Sequence, residues 1–94
     1  MSTTNLRNIL SNLSDGELSA ISNSYTNNLD TNFIKEQLLS KSELTELNFT
    51  RKDLSDSLIN ELTNRLLSKN IDLGKRNKIV TFLKNLSKFR FSYR

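Results

Sequence analysis

Few residues in this chain have the type and spacing to do chemistry, and the carboxylates come first. Asp53 and Asp56 lie one helical turn apart in "TRKDLSDSL", a spacing at which two carboxylates can share a Mg²⁺ ion. Acids this close to a helix start more often complement the macrodipole, because the free amides there carry partial positive charge. Glu43 with Glu46 and Asp15 with Glu17 fall in first turns as well and take the same reading. The chain has no Cys and no His. That removes disulfides, thiolate ligands, the usual zinc sites and a Ser-His-Asp triad. A lone Ser or Lys nucleophile would need a base beside it in a cleft, which spacing does not supply. "LGKRNK" contains a Gly-Lys pair but lacks the upstream glycines of a phosphate-binding loop. The expectation is a protein that is not an enzyme and uses no metal or cofactor.

The basic end carries more information. Up to Asp72 the chain holds seven basic and ten acidic side chains; after it come seven basic ones and no acid. The +4 net charge therefore hides a segregation, −3 against +7. Lys75, Arg76, Lys78, Lys84, Lys88, Arg90 and Arg94 are the candidate nucleic-acid contacts. On a helical wheel Ile79, Val80, Phe82, Leu83 and Leu86 share one half, with Phe89 at its edge. Lys78, Thr81, Lys84, Asn85 and Lys88 take the other, and Lys75 and Arg76 flank the start. A stripe of ammonium groups can track a phosphate backbone by releasing its counterions, although a plain solvated face has the same composition.

The last residues, "KFRFSYR", alternate strictly. In an extended strand Phe89, Phe91 and Tyr93 face one side, with Lys88, Arg90 and Arg94 on the other. Rings among cations suit stacking on single-stranded nucleic acid. Such a strand equally suits pairing with a partner chain or with downstream sequence, because its amides need partners. Pairing, with a partner chain or with downstream strands, is favoured over stacking for these rings.

The elements that would hold these groups in place are helical. The chain has no Pro and two Gly among its 94 residues, so capping residues do the punctuating. Leu6, Ile9, Leu10 and Leu13 mark one helical face. Ser14 to Glu17 reads as a capping box opening a second helix with Leu18, Ile21 and Tyr25. Phe33, Ile34 and Leu38 belong to a third, and "SKSE" from Ser40 is expected to cap a short fourth holding Leu44 and Leu47. Thr50 to Asp53 opens the longest, in which Leu54, Leu58, Leu62 and Leu66 recur every four residues beside Ile59 and Leu67. Asn70 and Ile71 suggest a Schellman end to it, and Asp72 a cap for the last helix.

The expected fold is all-α: one domain over residues 1–94, a compact bundle of five to six short helices. The boundaries read 4–13, 15–28, 31–40, 42–48, 51–69 and 73–88, followed by an extended basic and aromatic tail at 89–94. No apolar run is long enough to span a membrane, and "MSTTNLRNIL" lacks the pattern of a signal peptide. A cytoplasmic setting is expected, the host's if the chain is viral. Its Asn, Lys, Ile and Ser usage suggests an AT-rich coding genome, as in many phages and in Gram-positive or Bacteroidetes hosts.

Residues 57–86 resemble the helix–extended-loop–helix modules of the SAP kind, many of which bind DNA. The resemblance rests on Leu62, Leu66, Ile71, Gly74, Lys75, Ile79, Val80 and Leu83. The loop is one residue short and Asn70 stands where that family usually has Gly. A helix-turn-helix over 42–62 fails, since bulky Phe49 sits in the turn and Asp53, Asp56 and Glu61 on the reading helix repel phosphate. A membrane-surface role for 75–91 would surrender the apolar face to lipid. The expected function is therefore sequence-independent contact with DNA or RNA backbone, as an accessory module of a larger transcription or replication protein. The alternative is a structural or protein-docking domain whose C-terminal strand pairs with a partner.

Overall fold

The computed structural model describes residues 2–28, 31–68 and 70–91, and the side chains of 5–27, 31–68 and 70–87. These residues form five α-helices and no strand: α1 (Ser2–Asn12), α2 (Asp15–Asn28), α3 (Thr31–Ser40), α4 (Arg51–Leu66) and α5 (Leu73–Phe91). The apolar spacing has its expected consequence. Leu6, Ile9, Leu10 and Leu13 from the first helical region meet Leu18, Ile21 and Tyr25 of α2 in one core with Ile34, Leu38, Leu54, Leu58 and Leu62. Ile79, Phe82 and Leu86 of α5 complete it. Helix α4 packs against both α1 and α5; α2 packs against α5 and α3.

The helix starts are set by side chains that satisfy otherwise orphaned amides. Ser14 Oγ accepts from the Glu17 amide at 3.1 Å, and Glu17 Oε1 accepts from the Ser14 amide at 2.9 Å. Thr50, in the extended region at φ −90 and ψ 169, forms the same reciprocal pair with Asp53. Asp72 Oδ1 accepts from the Lys75 amide at 2.8 Å and so caps α5.

Several expectations need correction. No helix forms at 42–48, because the serines there close α3 instead of opening a new helix. Ser40 Oγ donates to the Gln37 carbonyl at 2.7 Å and Ser42 Oγ to that of Leu39 at 3.3 Å. Local bonds of this kind compete with helical pairing. The segment instead runs as an irregular connection that buries Leu47 and lays the Lys35 ammonium 5.5 Å from the centre of the Phe49 ring. Helix α4 ends at Leu66 and not at residue 69, with Leu67 as a right-handed C-cap whose amide bonds the Thr63 carbonyl. Asn70 then lies within the connection, too far along for the Schellman role. Leu67 itself is exposed and not part of the packed ridge. Finally, α5 continues through Phe91 and so, with 19 residues against 16, is longer than α4, which was expected to be the longest. Residues 89–91 are thus helical where an extended tail was expected; the strand alternation of three rings is outweighed by continuation of a helix already anchored by Ile79, Phe82 and Leu86.

Ser55 and Ser57 are buried on α4, and neither hydroxyl has a hydrogen-bond partner among the described residues. Their small size suits a helix packed against two neighbours. Among the described residues, no helix is long and apolar enough to cross a membrane.

Candidate nucleic-acid interface

Helix α5 is held by its apolar face, and this fixes where its cations point. With Ile79, Phe82 and Leu86 buried, Arg76, Lys78 and Lys84 are exposed. None of these three forms an ion pair with a described carboxylate. The half-buried Val80 and Leu83 flank the core contact. Lys88, Phe89, Arg90 and Phe91 have their backbone in α5, but their side chains lie outside the described residues, and Tyr93 and Arg94 lie wholly outside them.

Lys75 is placed differently from its neighbours. One turn before Ile79, it points toward α2, and its Nζ lies 3.0 Å from Asp15 Oδ2. On the same carboxylate, Asp15 Oδ1 accepts from Arg65 Nη1 at 2.8 Å. The hydrogen bond from Lys75, and then that from Arg65, hold the Asp15 carboxyl below its ordinary range, while Asp15 raises the Lys75 ammonium.

Arg65 is the structural centre of this corner. Its Nε donates to Glu61 Oε2 at 2.8 Å, and its Nη2 donates to the carbonyls of Leu10 at 3.0 Å and Leu13 at 2.7 Å. The guanidinium thereby binds two carbonyls at the C-terminal end of α1, that of Leu10 also accepting from the Leu13 amide at 3.3 Å, and joins them to α2 and α4. A cleft of about 140 Å³ opens here, lined by Asp15, Arg65, Ser68, Asn70, Ile71 and Lys75. On the other side of the Asp15 carboxylate Lys78 approaches the same cluster, in a smaller recess floored by Leu18, Leu62 and Ile79.

Sequence reasoning missed Arg65 as a hub, yet a signal existed. At 3.6 residues per turn, position 65 falls on the same face as Leu54, Leu58 and Leu62, in the middle of the apolar ridge. A cation at such a place requires buried partners. Lys75 carried a similar signal, since it falls on the buried face of α5 one turn before Ile79, but its partner Asp15, 60 positions away, is set by tertiary packing.

Two further acids, Asp53 and Glu17, are engaged away from this corner. Asp53 belongs to the α4 capping box. Glu17 pairs with Lys41 Nζ at 2.9 Å. That bond, with the Ser14 amide second, pushes its carboxyl down to about 2. Among the described residues there is no group of three or more acids that could hold a metal ion.

No known protein family, characterised protein or solved structure matches this chain.

Proposed function

We propose that this domain is a non-enzymatic binding module that contacts the phosphate backbone of nucleic acid through α5, as an accessory part of a larger nucleic-acid-processing protein. The observation that carries the reading is the set Arg76, Lys78 and Lys84: exposed, unpaired with any described carboxylate, and borne by a helix without a single acid from Leu73 onward. A cationic face of this kind is drawn to phosphate by counterion release and reads no bases, so its binding is independent of sequence. A membrane-surface use of the same helix would expose Ile79, Phe82 and Leu86, which the core needs.

Reversing Lys78→Glu and Lys84→Glu together tests the proposal. Both positions are exposed, so the helical circular dichroism of the double variant should match wild type. Its affinity for a labelled duplex or single strand at low salt should be lost. Retained affinity in a folded double variant would refute the role of α5.

A second reading, protein docking, is favoured by one observation. Leu67 and Leu73, on either side of the α4–α5 connection, are 74% and 71% exposed. This would move docking from a C-terminal strand to the α4–α5 corner. Light scattering on Leu67→Ser/Leu73→Ser beside wild type separates the readings: a loss of self-association would favour docking, and an unchanged mass would leave the α5 reading in front.

A further inference from the structure

The proposed interface contains a carboxylate at the place where a phosphate would be most welcome. Asp15 is presented from the first turn of α2, toward cations that come from two other helices, Arg65 of α4 and Lys75 of α5. Lys78 lines the adjoining recess. The Asp15 side chain is 51% exposed, so the position it occupies is reachable from solvent. Its two oxygens each take one cation, Oδ1 that of Arg65 and Oδ2 that of Lys75. Two oxygens of a phosphodiester present the same acceptor pattern.

Building on the backbone-binding reading above, we infer that Asp15 is an internal competitor for nucleic-acid phosphate, occupying the anion position between Arg65 and Lys75 and holding Lys75 out of the interface. The two cations are not equivalent in this device. Arg65 is fixed, because three of its hydrogen bonds go to Glu61, Leu10 and Leu13. Lys75 has Asp15 as its sole ion-pair partner among the described residues, and 56% of its side chain is exposed. Displacing the carboxylate therefore frees Lys75 to swing onto a phosphate while the Arg65 fork stays in place. Lys78, one turn further along the same side of α5, lines the recess beside it, so a freed Lys75 adds one contact next to Lys78. A single isolated anion competes poorly with a carboxylate fixed in the fold, whereas a polyanion held along α5 brings further phosphates to the same place at high effective concentration.

The test is Asp15→Asn, which keeps an oxygen for Arg65 but removes the charge that holds Lys75. Binding of a labelled duplex is measured against salt for wild type, Asp15→Asn and Glu36→Gln. The last makes the same change in net charge from an exposed position on α3. One added phosphate contact steepens the slope of log K against log salt by about 0.9. Referred to 1 M salt, that corresponds to roughly fifteenfold tighter binding near 50 mM salt, shrinking to roughly fourfold near 200 mM. Glu36→Gln should stay within about twofold of wild type. If wild type binds and Asp15→Asn binds no tighter, or both substitutions tighten binding equally, the inference is overturned and the α5 reading stands. If none of the three binds at low salt, the backbone-binding reading itself fails and takes the inference with it. Asp15→Ser repeats the measurement should the Asn variant lose its helical signal, and loss of fold in both would make Asp15 a structural requirement and overturn its role as competitor.

Discussion

Replacing Arg65 by Met should destabilise the domain by about 2–4 kcal/mol, and the structure shows why. Met preserves the apolar stem of the side chain and removes the guanidinium. Four hydrogen bonds go with it: to Glu61, to Asp15 and to the carbonyls of Leu10 and Leu13. The Asp15 bond ends on a half-exposed carboxylate and contributes little, roughly 0.5 kcal/mol. The Glu61 and carbonyl bonds are shielded, with the Arg65 side chain 16% and the Glu61 side chain 12% exposed. Each is worth roughly 1 kcal/mol, and the Glu61 charge left behind adds a desolvation penalty. In a domain of this size the loss lowers the melting temperature by roughly 10–25 °C. Urea unfolding followed by circular dichroism measures it. Arg65→Lys keeps the charge but loses the planar fork, and should fall between wild type and Met. Adding Glu61→Gln to Arg65→Met should recover part of the loss, since the stranded charge disappears. A Met variant within about 0.5 kcal/mol of wild type, or Lys and Met variants of equal stability, would refute the claim that the fork ties α1 and α2 to α4.

Leu58→Ala and Leu62→Ala remove fully buried side chains from the centre of α4 and should each cost about 2–5 kcal/mol, measured in the same urea unfolding; wild-type melting in both would contradict the core described above. Ser57→Ala deletes a buried hydroxyl that has no partner among the described residues, so stability should hold or rise by up to about 1 kcal/mol, and a clear loss would reveal a bond the hydroxyl makes. Folding lowers the Glu17 carboxyl from an ordinary 4.5 to about 2, mainly through Lys41. Its contribution to stability is therefore complete above about pH 4.5 and lost as the pH falls toward 2. The stability difference between wild type and Glu17→Gln should shrink across that window; a difference independent of pH would contradict the Lys41 pairing.

The fold was legible where side-chain periodicity and caps agree. The apolar positions from Leu6 to Leu62 and the caps at Ser14, Thr50 and Asp72 announce themselves, because each acts within a few residues of its own position. The connection at 41–50 was misjudged since Ser40 and Ser42 can serve either end of a helix, and only the fate of Leu47 decides which. Residues 89–91 carry both a strand alternation and a helix already under way, and the packing of Ile79, Phe82 and Leu86 favours the second. Among the candidate contacts, exposure of Lys78 and Lys84 followed from the wheel. The diversion of Lys75 to Asp15 did not, since it depends on how α2 and α5 come together.

The most direct measurement of the central claim is the salt dependence of wild-type binding to a fluorescently labelled duplex, repeated on a duplex of unrelated sequence. Contact through Arg76, Lys78 and Lys84 predicts a slope of log K against log salt near −2.7, about three phosphates, with the two sequences equal in affinity. Absence of binding at low salt, a slope near zero, or a strong preference for one sequence would contradict it.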